Sequence, residues 1–122
     1  MTKILLDAKA ISDIAVKGLD EKKGVNIVRM DLRKSDGAVT DFFVIATGSS
    51  DRHVQSLADS VMDELRKAGE RPISKEGLKE GEWILLDYVN VVVHIFLKDK
   101  REFYRLENLW GDADTESFAE AS

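Results

Sequence analysis

The sequence contains no cysteine, and this absence excludes both a disulfide framework and a metal site built on thiolates. Histidine is scarce as well: His53 and His94 stand far apart, without the HxH or HExxH spacing of a zinc site. No apolar run approaches the roughly 20 residues that a membrane-spanning helix needs. Asp7 and Lys9 interrupt the apolar patch at the N-terminus, and no small-residue cleavage site follows, so a secretory signal is not expected.

These absences predict a protein without a metal ion or other cofactor and without a membrane span. They favour a cytoplasmic location. The matrix or stroma of an organelle is the alternative if a targeting segment has been removed.

The chain also lacks a basic cluster. It has 18 Lys and Arg residues against 23 Asp and Glu residues, which gives a formal net charge of −5. Proteins that bind a nucleic-acid backbone draw most of their affinity from Lys and Arg side chains that release counterions. We therefore expect no direct, sequence-specific binding of nucleic acid, and a basic protein surface is the favoured partner.

What the sequence does contain is enough apolar material for one core. Its 122 residues are 43% hydrophobic and 34% charged, which is typical of a globular domain. No internal repeat and no second domain is visible. We expect a single domain over residues 1–111 and a disordered acidic tail over residues 112–122, since this tail holds acids and no base.

Hydrophobic periodicity predicts three helices and four strands in the order α-β-β-α-β-β-α. The predicted helices run from Ile4 to Leu19, from about Ser50 to Ala68, and over residues 98–110, where Phe103, Leu106 and Trp110 face inward. The predicted strands are Val25 to Leu32, Phe42 to Thr47, Glu82 to Tyr88 and Val91 to Leu97. Asp36-Gly37 is a hairpin signal between the first two strands. The order indicates the α/β (α+β) class, with a mixed sheet flanked by helices.

The segment Gly48-Ser49-Ser50 stands where the second strand passes into the second helix. Such a turn can cradle a phosphate with its backbone N–H groups, as in nucleotidyltransferase-type enzymes. That chemistry needs two neighbouring carboxylates to hold a metal ion, and the next strand offers only Asp87. The alternative is that Ser49, Ser50 or Asp51 caps the helix, and capping alone explains these residue types.

Two other groups of residues invite a chemical interpretation. Ser49, His94 and Asp87 are the right types for a catalytic triad, but no G-x-S-x-G elbow exposes the serine, and a lone histidine in an apolar strand is more often a hydrogen-bonded core residue. Arg52 and His53 place positive or potentially positive groups at a helix N-terminus, where the helix dipole is already positive. For these two residues a structural and a functional interpretation both stay open.

Trp83 shares one face of its predicted strand with Leu85 and Asp87. Aromatic anchors with charge at their rim are typical of protein interfaces. Coverage of this face by the chain's own helices is the alternative interpretation.

Four segments together resemble one known family: TDFFVIATGSSDRHVQSLAD, GEWILLDY, VVVHIF and FYRLENLWGDA. The run from Thr47 to Val54 and the ending from Leu106 to Trp110 are specific in combination, and the resemblance covers residues 5–113. The chain is similar to the ribosomal silencing factor family, also called the Iojap-like family. The resemblance implies a nucleotidyltransferase-like fold without the transferase chemistry, and therefore no enzyme activity and no catalytic residues.

The resemblance also implies a function. Members bind the large ribosomal subunit through its fourteenth protein, at the face that docks the small subunit, and so block subunit joining and repress translation. They also act in large-subunit maturation. The alternatives are a nucleotide-binding or nucleotidyltransferase-type enzyme and a homodimeric scaffold without a ribosomal role. The sequence leaves open whether the free protein forms a homodimer.

By matching positions, the resemblance implies a set of partner-binding residues: Trp83, Leu85, Asp87 and His94, followed by Arg52, His53 and Tyr104. One position departs from the family. Members usually have Gly-Asp between the last two strands, where this sequence has Val89-Asn90. Because Asn tolerates a left-handed backbone and Val does not, we expect a turn of different shape, and a contact made by the family's acid is not inferred here.

Overall fold

The computed structural model describes residues 6–35, 37–38, 40–100 and 113–118, which contain two helices and six strands. The helices are α1 (Ala8–Glu21) and α2 (Asp51–Lys67). The strands are β1 (Val25–Asp31), β2 (Phe42–Gly48), β3 (Ser74–Glu76), β4 (Trp83–Asp87), β5 (Val91–Leu97) and β6 (Asp114–Ser117). In this part of the chain no helix is long and apolar enough to cross a membrane.

Helix α1 begins where Asp7 caps it, since this carboxylate accepts the backbone N–H of Ala10 at 2.8 Å. Its inward stripe is formed by Ile11, Ala15 and Leu19. The helix ends at Glu21, and the N–H of Gly24 beyond it donates to the carbonyl of Leu19 at 2.8 Å.

Helix α2 begins in the same way, because the hydroxyl of Ser50 accepts the backbone N–H of His53 at 3.1 Å. Its buried stripe is Val54, Leu57, Ala58, Val61 and Leu65. The two helices approach closely at Gly18, where a Cβ would lie 3.0 Å from Cα of Val61. The hydroxyl of Ser60 donates to the Gly18 carbonyl at 2.7 Å and closes this contact.

The six strands form one sheet in the order β3-β4-β5-β2-β1-β6. The central pair, β2 and β5, is parallel, from Phe42 opposite Val91 to Gly48 opposite Leu97. The other neighbouring pairs are antiparallel. Both central strands are nearly continuous apolar runs because both of their faces are buried. The predicted class, a mixed sheet with helices packed against it, is confirmed.

The alternation of side chains along the strands divides the core into two layers. The layer beneath α1 and α2 includes Ile27, Val44, Ala46, Ile84, Leu86, Val93 and Ile95. The layer on the opposite face includes Val28, Met30, Phe43, Ile45 and Phe96, with Trp83 and Leu85 packed against it. Trp83 and Leu85 therefore lie on the face that α1 and α2 do not cover.

The expectation of a disordered tail is wrong for the residues that form β6. This strand pairs with β1, from Val28 opposite Ser117 to Asp31 opposite Asp114. The acidic character of the segment is compatible with docking, because Glu116 forms an ion pair with Arg29 of β1. The polarity of residues 114–117 was therefore a poor guide to their structure.

Two further differences concern the strands and the last helix. Strand β3 was not predicted, since its three residues are polar and exposed and it forms by pairing with β4. The predicted third helix falls mostly outside the described residues. Residues 98–100 are helical, whereas Phe103, Leu106 and Trp110 belong to the part that is not described.

Candidate partner-binding face

Trp83, Leu85 and Asp87 lie side by side along β4, as the period-two pattern predicts, and we call this set the Trp83 face. All three side chains are partly exposed, whereas Ile84 and Leu86 between them are fully buried. The antiparallel register with β5 places Trp83 opposite Phe96, Leu85 opposite His94 and Asp87 opposite Val92. The face thus combines an aromatic ring, an aliphatic side chain and a carboxylate over a rigid strand pair.

His94 lies beneath this face and has little surface of its own, since it is only 4% exposed. Its Nδ1 atom accepts the indole N–H of Trp83 at 3.1 Å. Burial lowers the pKa of His94 from 6.5 to about 4, so the ring is neutral near pH 7. The bond from Trp83 then places the ring proton on Nε2, which has no hydrogen-bond partner in the described part of the chain.

The carboxylate of Asp87 also orders the backbone beside it. The Oδ1 atom of Asp87 accepts the N–H of Val89 at 2.8 Å. The backbone carbonyl of Asp87 accepts the N–H of Ile73 at 2.7 Å. Asp87 therefore links β4 to the turn that follows it and to the segment that leads into β3.

The turn at Val89 has a conformation that the sequence did not predict for valine. Val89 has φ +73° and is 54% exposed, although a β-branched residue is strained in this region. The N–H of Asn90 donates to the carbonyl of Tyr88 at 2.9 Å, which closes a γ-turn around Val89. Thr40, which precedes β2, also holds the turn, because its hydroxyl donates to the Val89 carbonyl at 3.0 Å. The expectation that valine would avoid a left-handed backbone at this turn is therefore wrong.

Gly48 is required by packing between β2 and α2. A Cβ at this position would lie 2.6 Å from Cγ2 of Val54 and 2.9 Å from its backbone nitrogen. Ser50 supplies the N-cap of α2. The residue types of this turn are therefore explained by close approach and by capping, which was one of the two interpretations left open by the sequence.

His53 joins the same turn to the end of α1. Its Nδ1 atom accepts the N–H of Ser49 at 2.9 Å, and its Nε2 atom lies 2.8 Å from the carbonyl of Lys22. These two contacts assign the ring proton to Nε2 and occupy both nitrogens. Arg52, its neighbour, is exposed on the first turn of α2, and Tyr104 lies outside the described residues.

A cleft of about 470 Å³ opens beside this turn. Its lining includes the carboxylates of Asp51, Glu80, Glu82 and Asp99, together with Lys98. This lining gives the cleft an excess of negative charge, which disfavours a bound phosphate. Within the described part of the chain, no group of three or more His, Asp or Glu side chains is placed to hold a metal ion.

The triad imagined from the sequence is not assembled. Ser49 follows Gly48, which pairs with Leu97 at one end of β5, whereas Asp87 pairs with Val92 near the other end. A serine nucleophile and its carboxylate cannot act together across the length of a strand.

The sequence did not single out Arg29, which is the main buried charge of the described residues. Its guanidinium donates to Ser12 at 3.0 Å, to Asp13, and to both carboxylate oxygens of Glu116 at 3.0 Å. It lies 5.8 Å from the ring centroid of Phe42 and 5.4 Å from that of Phe118. One signal in the sequence could have identified Arg29. It lies on the same face of β1 as Ile27, and apolar residues are the norm on that face.

Known proteins match this chain over most of its length. Residues 6–122 match the family described as "Ribosomal silencing factor during starvation". The ribosomal silencing factor of Bacillus subtilis is 39% identical over 108 residues, which are 88% of this chain and 91% of that protein. The crystal structure of a Chromobacterium violaceum protein is 37% identical, with a TM-score of 0.83 and 95% of each chain covered.

A more distant match comes from mouse. "Mitochondrial assembly of ribosomal large subunit protein 1" is 32% identical over 74 residues, which are 58% of this chain and 32% of that protein. The similarity to the bacterial proteins, which extends over nearly the whole domain, is sufficient to assign the family. This chain belongs to the ribosomal silencing factor family.

Proposed function

We propose that this protein binds the large ribosomal subunit through its fourteenth protein, blocks joining of the small subunit and thereby represses translation in the cytoplasm. Membership of the ribosomal silencing factor family supports the regulatory role. The net charge of −5 supports a basic protein surface as the contact. A role in large-subunit maturation is part of the proposal, and the name of the mouse relative is in keeping with it.

The observation that carries the proposal is the Trp83 face. A partly exposed tryptophan beside an aliphatic residue and a carboxylate has the composition of an interface anchor with a charged rim. All three side chains of the face project from β4, which is hydrogen-bonded to β5, so a strand pair rather than a loop fixes their positions. A basic partner would meet Asp87 next to the Trp83 anchor.

The remaining residues inferred from the resemblance have a smaller place in the proposal. Arg52 is exposed and accessible to a partner. His53 uses both ring nitrogens inside the protein, and His94 lies below the surface, so each would act through the residues that it holds in place. Formation of a homodimer by the free protein stays an open prediction, to be measured.

The proposal is tested by sedimentation with isolated ribosomal subunits and by light scattering during subunit joining. The wild-type protein should co-sediment with large subunits and reduce joining. Truncation of a buried interface tryptophan commonly removes 2 kcal/mol or more of binding free energy, so Trp83→Ala should weaken binding by roughly thirtyfold. The matched control is Ile73→Ala, because Ile73 is 70% exposed beside the same strand pair but outside the Trp83 face.

Thermal unfolding of both variants separates lost binding from lost folding. A folded Trp83→Ala protein that binds large subunits and blocks joining like the wild type would refute the assigned face. Affinity for free ribosomal RNA equal to that for whole subunits would refute a protein partner. Magnesium-dependent nucleotide turnover that disappears in Asp87→Ala would favour the enzyme alternative instead.

A further inference from the structure

The indole of Trp83 is held in place by aromatic neighbours that belong to the strand pair beneath it. Its ring stacks on Phe96, with centroids 5.0 Å apart and planes inclined by 26°. The register places these two residues directly opposite each other. Stacking of this kind restrains the tilt of the indole but leaves open which edge of it faces outward, since stacking makes little distinction between the two flipped orientations.

The hydrogen bond to His94 removes that freedom. The indole has one donor, and Nδ1 of His94 accepts from it at 3.1 Å. A flip of the indole about its Cβ–Cγ bond would carry the N–H away from this acceptor. The bond therefore selects one orientation of the part of Trp83 that remains exposed.

His94 is itself held between aromatic neighbours. Its ring meets the ring of Phe43 edge-on, with centroids 4.7 Å apart, and lies nearly parallel to that of Phe96, with centroids 6.2 Å apart. It is 4% exposed, and its neutral state keeps Nδ1 available as an acceptor. Because its other nitrogen has no partner among the described residues, the Trp83 bond is the one polar contact that the structure records for this ring.

We propose that His94 is a positioning residue: it fixes the orientation of the Trp83 indole before the partner arrives and does not contact the partner itself. The inference rests on the proposed function, in which Trp83 anchors the protein on the large subunit. Fixing a side chain in advance removes part of the ordering cost that association would otherwise carry. Loss of the acceptor should therefore weaken binding without removing any surface from the interface.

Two substitutions at His94 separate the acceptor from the ring. His94→Gln keeps an acceptor of similar reach, whereas His94→Phe keeps an aromatic ring between Phe43 and Phe96 and removes the acceptor. Affinity for isolated large subunits is measured by sedimentation, and folding by thermal unfolding. In NMR spectra, the indole N–H signal of Trp83 is assigned by its absence from the spectrum of Trp83→Phe. The rate at which this proton exchanges with solvent reports on its hydrogen bond to His94.

We expect His94→Gln to bind like the wild type. His94→Phe should bind roughly fivefold more weakly, equivalent to about 1 kcal/mol, and its indole N–H should exchange faster. If His94→Phe does not fold, His94→Leu takes its place under the same criteria. Wild-type affinity in the folded variant without an acceptor, or equal weakening in His94→Gln, would overturn the proposal. Failure of Trp83→Ala to affect binding would instead refute the proposed face, so the two failures are distinguishable.

Discussion

Arg29 and Glu116 are joined by two hydrogen bonds of 3.0 Å, from one guanidinium nitrogen to both carboxylate oxygens. Arg29 stands in β1 and Glu116 in β6, directly opposite each other in the register. The same guanidinium reaches Ser12 and Asp13 of α1. A single buried cation therefore connects the edge strand β6, its neighbour β1 and helix α1.

Glu116→Ala should release β6 from β1 more readily. Charge-assisted hydrogen bonds of this kind contribute about 1–2 kcal/mol, and Arg29 keeps its partners in α1, so we expect a loss of that size in the free energy of unfolding. Amide hydrogen exchange should accelerate at the β1 residues that face β6. The matched control is Asp114→Ala on the same strand, an exposed acid for which no ion pair with a described residue is recorded. Equal effects of the two substitutions would contradict this account.

Gly48 and Val54 provide a second test, because the space for a side chain at Gly48 is taken by Val54. Gly48→Ala should destabilise the fold by about 1–3 kcal/mol through overpacking. In a Val54→Ala background the penalty should shrink, since the contact at 2.6 Å is then relieved. Denaturant unfolding of the two single variants and the double variant measures the coupling. Strictly additive effects would mean that Gly48 is present for another reason.

The four central strands could be predicted from the sequence to within about one residue because their side chains alternate or run continuously apolar, and that pattern is local. Strand β3 could not, since Ser74, Lys75 and Glu76 carry no such pattern and become a strand only by pairing with β4. Strand β6 is similar: its four residues are polar, and it forms by pairing with β1, which is far away in the sequence.

The candidate site shows the same division. That Trp83 shares a face with Leu85 and Asp87 follows from the period of a strand and was predicted. That His94 would be buried beneath Trp83 was not, because the register between β4 and β5 decides which side chains stand next to each other. The role of Gly48 also depended on a tertiary contact, the approach of Val54.

Val89 should be replaceable by glycine with a gain in stability. Its φ of +73° is strained for a β-branched residue and open to glycine, so Val89→Gly should stabilise the protein by about 1 kcal/mol despite the added chain entropy of the unfolded state. Asn90→Gly is the matched control, since Asn90 is not among the described residues with positive φ and should lose about 0.5–1 kcal/mol. Thermal or denaturant unfolding gives both values. Destabilisation by Val89→Gly would contradict the strained turn.

The last prediction concerns acid. Burial lowers the pKa of His94 to about 4 in the folded protein, from 6.5 for an unhindered imidazole. Between these values the unfolded chain binds a proton that the folded chain does not, so stability must fall as the pH decreases from 6.5 towards 4. At about 1.4 kcal/mol for each pH unit, the full penalty is about 3 kcal/mol and is reached below pH 4.

Denaturant unfolding of wild type and His94→Gln from pH 7.5 to 4 isolates this contribution. Carboxylates such as Asp31 and Asp63, whose pKa values are lowered by bonds to Arg33 and Arg66, destabilise both proteins alike when they are protonated, so their effect cancels in the difference. We expect the difference in unfolding free energy to be constant above pH 6.5 and then to move in favour of His94→Gln as the pH falls. Parallel curves over the whole range would mean that the His94 imidazole takes up its proton as readily in the fold as in water, and that it is not sealed beneath Trp83.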